Sequence, residues 1–295
     1  MQDIVITGAE LEHELLADLI ASVHPERVLL RPSEPALRLE GVARTADLKP
    51  LREAAERQRA DFFRLPAGLS VKFFRAFFFD MDGTLIENEC IDDMARAAGC
   101  LAEVEKVTRA AMEGRLSFTE SLEGRVAHLK GAPLSVIDHA VESARPAHGA
   151  AELMKFAKRA GVDCYVVSGG FTDITRPVAK RLGMTGAVSN ELEIRGDRLT
   201  GIVRGPAGGK ILDADGKRRA VEVLAQLHGC SLKEVLCCGD GANDLEMVRA
   251  AGIGVAYHAK PVLRAAASQQ INLSGLDAVM LFFREAWRDA VPLGS

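Results

Sequence analysis

Phe77-Phe78-Phe79-Asp80-Met81-Asp82-Gly83-Thr84 decides how this chain is read. Three aromatic residues in a row suit a strand buried on both faces, as in a parallel sheet covered by helices. The strand runs into two aspartates one residue apart, then a glycine turn. Open α/β sheets bind ligands at the carboxyl ends of their strands. Two carboxylates there repel each other, so the placement needs a reason, and a divalent cation is the obvious one. Asp80 suits nucleophilic attack on phosphorus, and Asp82 suits general acid and base work. An isolated Asp-x-Asp-Gly turn is also found as a plain solvated loop, so the rest of the chain carries weight.

Outward from that stretch, residues 163–170 read Asp-Cys-Tyr-Val-Val-Ser-Gly-Gly, a second buried strand ending in Ser168, Gly169 and Gly170. Successive amides and a hydroxyl can cradle an anion, although Ser-Gly-Gly by itself reads better as an ordinary strand-to-helix turn. Residues 235–244 read Val-Leu-Cys-Cys-Gly-Asp-Gly-Ala-Asn-Asp, a third strand ending in Asp240, Asn243 and Asp244. Mg²⁺ takes such oxygen donors rather than thiols; a polar turn capping the next helix is the plainer alternative. Lys217, within Lys217-Arg218-Arg219, reads by itself as a solvated helix start.

Strand and helix alternate from residue 150 onward, which predicts an α/β fold with a doubly wound parallel sheet. Residues 192–195 and 198–203 flank Gly196-Asp197 as a hairpin. A helix over 245–251 stops at Gly252, and 253–256 is another strand. Residues 86–148 predict an inserted helical cap, with helices over 90–99, 101–113, 119–129 and 134–144 separated by Gly99, Gly114 and Gly131-Ala132-Pro133. A cap can exclude water from a reacting phosphate and present specificity groups.

The ordered set Asp80-x-Asp82-Gly-Thr, Ser168-Gly-Gly, Lys217 and Gly239-Asp240-Gly-Ala-Asn243-Asp244 resembles the motifs of the haloacid dehalogenase superfamily of phosphatases. The closer resemblance is to the phosphoserine phosphatases, over about residues 74–285. It runs through Asn88-Glu89-Cys90-Ile91-Asp92, Met112-Glu113-Gly114, Ser168-Gly-Gly-Phe171 and Ala256-Tyr257-His258-Ala259-Lys260-Pro261. The resemblance implies Mg²⁺-dependent hydrolysis of O-phospho-L-serine, the last step of serine biosynthesis. Asp80 would form an aspartyl-phosphate; Asp82 would protonate the departing hydroxyl and then activate water. Mg²⁺ would be held by Asp80, Asp240 and the carbonyl of Asp82, with Asp244 acting directly or through water. Ser168, Gly169, Lys217 and Asn243 would hold the phosphate. In the cap, Glu89 would meet the substrate ammonium, Arg125 its carboxylate, and Met112 and Phe118 would be apolar pocket positions.

The charge types suit those partners. Taken singly, Glu89 reads as a helix-start acid, Arg125 as a solvated arginine and Phe118 as core. Gly83 stands where phosphoserine phosphatases usually carry Ser, which removes a hydroxyl and keeps the backbone N–H. Three alternatives use related parts. A phosphatase or phosphotransferase acting on another small phosphomonoester, such as phosphohomoserine, shares the machinery. A haloacid dehalogenase proper needs neither Asp82 nor Asp240. A receiver-type phosphoaspartate switch lacks an equivalent of Asp82 and a cap.

Residues 1–72 lie outside the catalytic resemblance. They predict strands over 4–7, 27–30, 37–42 and 61–65, with helices over 10–23 and 47–59. The first helix would carry Leu11, Leu15, Leu19 and Val23 on one face, joined by Leu16 and Ile20. This βαββαβ order resembles a ferredoxin-like unit. It reads either as a serine-sensing module or one that joins two chains as a homodimer, or as a packing appendage without a ligand. The absence of a glycine-rich ligand loop favours the last. Pro66-Ala67-Gly68 reads as a linker into a catalytic domain over 73–295.

Composition sets the remaining bounds. A chain of 295 residues with 48% hydrophobic content can build about two domains. A net charge of −4 with scattered basic residues makes no case for nucleic acid or membrane partners. No stretch approaches the about 18 apolar residues of a membrane span. The start lacks a basic n-region, so the expected location is cytoplasmic. The six cysteines show no Cys-x-x-Cys spacing, and Cys237-Cys238 fall in a buried strand.

Overall fold

The computed structural model describes residues 1–32 and 34–293. The first elements are β1 (Gln2–Thr7), α1 (Ala17–Ser22), β2 (Arg27–Leu30), β3 (Ala36–Val42), α2 (Lys49–Arg57) and β4 (Asp61–Pro66). The main sheet opens with β5 (Ala76–Phe79), and the helices α3 (Cys90–Ala98), α4 (Leu101–Met112), α5 (Phe118–Ala127) and α6 (Ser135–Ser143) follow it. Then come α7 (Ala150–Ala160), β6 (Asp163–Phe171), α8 (Thr172–Arg181), β7 (Gly186–Arg195), β8 (Arg198–Arg204) and α9 (Ala214–Leu227). The chain closes with β9 (Val235–Gly239), α10 (Leu245–Ala250), β10 (Ile253–Tyr257), α11 (Pro261–Arg264), β11 (Gln269–Ile271) and β12 (Val291–Pro292).

The larger sheet has the order β11-β10-β9-β5-β6-β7-β8. Its pairs are parallel except for the β7–β8 hairpin. β5 sits in the middle because both its faces are apolar. Phe77 and Phe79 enter the core on one face, and Phe78 enters a second core on the other. Phe77 stacks on Phe283 at 5.8 Å between ring centroids, and Phe78 on Tyr165 at 5.6 Å. Register does the rest of the positioning. Phe79 lies opposite Val166 of β6 and Cys238 of β9. The chain leaving β5 therefore emerges between Ser168 and Asp240.

The cap helices rise from one root. Glu87 N–H donates to the Arg145 carbonyl at 2.9 Å, and Arg145 N–H to Asn88 Oδ1 at 2.9 Å, tying the outgoing and returning segments together. Local signals fix the helix ends. α3 stops at Gly99, whose φ of +75° suits a residue without Cβ. α5 starts with a capping box between Ser117 and Glu120. On its far side the cap is stitched to the hairpin, where Gly131 N–H donates to Leu199 O at 2.8 Å and Leu199 N–H to Ala132 O at 3.0 Å.

The smaller sheet is antiparallel, with the order β12-β2-β3-β1-β4. One face packs on its own helices through Ile4, Ile6, Leu37 and Leu39. The other, through Val5, Leu29, Phe63 and Leu65, joins the core that holds Phe77 and Phe282. The strands and the second helix lie close to where the sequence put them; the first helix does not. Residues 13–16 form a 3-10 turn (His13–Leu16), and only Ala17–Ser22 is α-helical. The tighter turn changes which side faces inward. Leu16, Ile20 and Val23 are buried, whereas Leu15, expected on the apolar face, is 67% exposed.

Candidate active site

Asp80 follows β5 directly and is 5% exposed. Its Oδ1 accepts the Met81 N–H at 2.7 Å. Its Oδ2 lies 2.8 Å from Lys217 Nζ, which also reaches Asp244 Oδ1 at 2.7 Å. Lys217 comes from the first turn of α9, held by the Asp213 side chain accepting Gly216 N–H at 2.8 Å. The lysine is completely buried. Burial works against its charge, but the carboxylates of Asp244 and Asp80 outweigh that and hold its pKa above the ordinary value. The expected solvated helix start is thus an interior ammonium shared by two acids.

Asp244 is fixed at its other oxygen: Oδ2 accepts the Asp240 N–H at 3.1 Å and the Gly241 N–H at 3.0 Å. Asn243 Nδ2 reaches Asp80 Oδ2 at 3.5 Å. Carboxylate oxygens of Asp80, Asp240 and Asp244 all lie within 4.8 Å of one another. Burial, then the charge of Asp80, pushes Asp240 up to about 6 and likewise raises Asp244, against the pull of Lys217. Three acids facing one ammonium make a strongly negative pocket of hard oxygen donors. Such a donor set fits a divalent cation of the Mg²⁺ class.

Gly83 turns the chain away from this pocket. It has φ of +69°, and a Cβ there would stand 3.0 Å from Asp240 Cγ. Both facts favour glycine at this position.

Asp82 points to the cap side. Its Oδ1 accepts the Cys90 N–H, at the start of α3, at 3.1 Å. Desolvation raises its pKa to about 6, with the Cys90 contacts and Lys217 opposing and Asp80 adding to the rise. Ser168 is 1% exposed and its Oγ accepts the Gly170 N–H at 2.9 Å. A Cβ placed on Gly170 would lie 3.2 Å from that Oγ and 3.4 Å from Asp82 Oδ2, so Ser168 and Asp82 border one small space. A Cβ on Gly169 would lie 2.6 Å from Phe118 Cζ, so the Phe118 ring rests on the Gly169 backbone.

The cap charges are electrostatically close to this group. Glu89 is open to solvent but set among protein atoms. Desolvation first, then Asp82 and Asp240, pushes its carboxyl up to about 8. Arg125, on α5, donates from Nε to Ser121 O at 3.3 Å. Burial lowers its pKa, with Glu89, Asp92 and Asp82 opposing. Met112 is not brought into the group; it ends α4 and is 79% exposed.

One supporting residue was missed from sequence. Asn190 is fully buried, donates from Nδ2 to Gly169 O at 2.8 Å, and accepts Leu212 N–H at Oδ1 at 2.7 Å. It ties the glycine cradle to the segment leading into α9 and Lys217. The polar pair Ser189-Asn190, directly after Ala187-Val188 in β7, was the available signal.

Comparison with known proteins agrees with this geometry. The model of the haloacid dehalogenase-like hydrolases matches residues 74–252. The phosphoserine phosphatase of Streptomyces coelicolor is 38% identical over 286 residues, covering 94% of this chain and 69% of that protein. That of Archaeoglobus fulgidus is 43% identical over 235 residues, covering 79% and 67%. Among solved structures, a probable phosphoserine phosphatase from Vibrio cholerae superposes with a TM-score of 0.79 at 31% identity, over 97% of this chain and 87% of that one.

Proposed function

The chain belongs to the haloacid dehalogenase-like hydrolases, in the phosphoserine phosphatase family, and we propose that it hydrolyses O-phospho-L-serine through an aspartyl-phosphate on Asp80. The observation that carries the proposal is the Lys217 ammonium held 2.8 Å from Asp80 and 2.7 Å from Asp244, beside Asp240 and the Ser168–Gly170 cradle. It neutralises part of the charge that an incoming phosphate would meet, and it holds the Asp80 carboxylate, the nucleophile, in place.

In the proposed reaction the Asp80 carboxylate attacks phosphorus and the bond to the serine oxygen breaks. Asp82 gives its proton to that oxygen; a carboxyl raised to about 6 suits this role. Serine leaves. Asp82, now a carboxylate, takes a proton from water, whose oxygen attacks phosphorus, and the bond to Asp80 breaks to release phosphate. Ser168, Gly169, Lys217 and Asn243 bind the non-bridging oxygens. Asp80, Asp240 and Asp244, with the Asp82 carbonyl, would hold Mg²⁺, which when bound supplies positive charge to the transferring phosphoryl group. Arg125 pairs with the substrate carboxylate and Glu89 with its ammonium. Phe118, braced on Gly169, supplies an apolar wall.

Residues 1–72 we read as a packing unit, supported by Val5, Leu29, Phe63 and Leu65 sharing one core with Phe282. A reducing cytoplasmic setting suits the cysteines, all six of which are free thiols.

Acid quenching during turnover of ³²P-labelled phosphoserine tests the intermediate. The expected result is a label on the wild-type protein that hydroxylamine removes, absent from Asp80→Asn although that variant folds normally. A labelled Asp80→Asn protein would remove Asp80 as the nucleophile.

A further inference from the structure

Asp61, the first residue of β4, is 3% exposed, and its carboxylate is fully occupied. It accepts three successive backbone N–H groups from the segment after β11: Asn272 at 2.9 Å, Leu273 at 3.2 Å and Ser274 at 2.8 Å. A buried carboxylate is costly without such partners, and here it organises a segment more than two hundred residues away in sequence. That segment is joined to the loop after β10. His258 N–H donates to Ile271 O at 2.7 Å, and its ring Nε2 donates to Ser274 O at 3.0 Å. His258 has φ of +44°. A side-chain-bearing residue keeps such a conformation only where its surroundings hold it there. Two residues on, Lys260 N–H donates to the Asp240 carbonyl at 2.8 Å.

A continuous path therefore runs from the smaller sheet to the backbone of Asp240. Cavities of about 320 and 420 Å³ both border Leu273, Ser274 and Gly275; the first also touches Thr7 and Gly8, the second Gly83 and His258.

We propose that Asp61 is a positioning residue: through residues 272–274 and His258 it fixes the backbone of Asp240 and so sets the affinity of the acidic cluster for its divalent cation. This gives the N-terminal unit a task at the active site without contact to substrate. It rests on the reading that Asp80, Asp240 and Asp244 hold Mg²⁺.

The test is calorimetric titration of Mg²⁺, without substrate, into the full-length wild type, Asp61→Asn, His258→Asn and the double variant, with melting temperatures in EDTA. Asn at 61 keeps the shape but turns an NH₂ toward amide donors. Asn at 258 tolerates the left-handed backbone but is too short to reach Ser274 O. Each single variant should bind Mg²⁺ about tenfold more weakly, as loss of outer support to a metal ligand does. The double variant should be little worse than either, because both act on one path. A merely structural role would lower the melting temperature and leave the affinity alone, and unchanged affinity in both variants overturns the proposal. Should Asp61→Asn fail to fold, His258→Asn decides by itself. A wild type that does not bind Mg²⁺ overturns the functional reading and this inference together; a wild type that binds, with unaltered variants, overturns only this inference.

Discussion

At the scale of single residues, burial and charge set what each acid can do. Asp80 and Asp244 share the Lys217 ammonium, whereas Glu89 faces acids and has, among the described residues, no cation at bonding distance. Its carboxyl, pushed from 4.5 to about 8, titrates higher in the folded protein than in the unfolded chain. The folded state then binds the extra proton between those values, so Glu89's contribution to stability falls as pH rises from about 4.5 to about 8. Gln at this position carries no such penalty. Without metal or substrate, Glu89→Gln should match the wild type in melting temperature near pH 4 and exceed it by a growing margin up to pH 8. The margin is reduced by solvent screening, since the side chain is open to water. A difference independent of pH would contradict the raised pKa. A carboxyl whose charge is disfavoured by burial and by neighbouring acids is also one that the ammonium of a substrate would complement, by favouring its charged form.

At the scale of elements, strand ends bring chemistry together and helices adjust it. Motifs at 80–82, 168–170 and 239–244 were legible because each ends an apolar run, and parallel register then sets them side by side. The support for them was less legible. Asn190 acts through Gly169 O and Leu212 N, partners that nothing in its local sequence identifies. The face of α1 was misjudged for a related reason: a 3-10 turn at 13–16 replaces the first helical turns, and helical periodicity cannot be read across it. In the cap, α5 carries both Phe118 and Arg125, and its Ser117–Glu120 capping box fixes where the helix begins. Arg125→Ala should raise KM for phosphoserine about tenfold or more, as loss of charge-assisted hydrogen bonds does. KM for an uncharged aryl phosphate should stay within about twofold, because that ester has no carboxylate. Equal effects on both would move carboxylate recognition away from Arg125.

At the scale of the whole molecule, the two sheets are built as one interlocked body. Arg38, fully buried in β3, pairs with Asp3 at 2.6 Å and donates to the carbonyls of Leu281 and Phe282 at 3.4 Å each. The C-terminal strand β12 returns to extend the N-terminal sheet beside β2. Neither feature was readable in sequence, since a two-residue strand has no periodicity and its partner lies some 260 residues earlier. The path from Asp61 to Asp240 belongs to this same interlocking. Among the described residues no helix is long and apolar enough to cross a membrane.

The most direct test of the account is phosphate release from L-phosphoserine, phosphothreonine, phosphohomoserine, a sugar phosphate and p-nitrophenyl phosphate, each with Mg²⁺ and with EDTA. The account predicts a kcat/KM for L-phosphoserine at least ~10²-fold above the others, from paired recognition of ammonium and carboxylate, and its loss in EDTA. A flat profile, a different best substrate, or turnover undiminished by EDTA would contradict it.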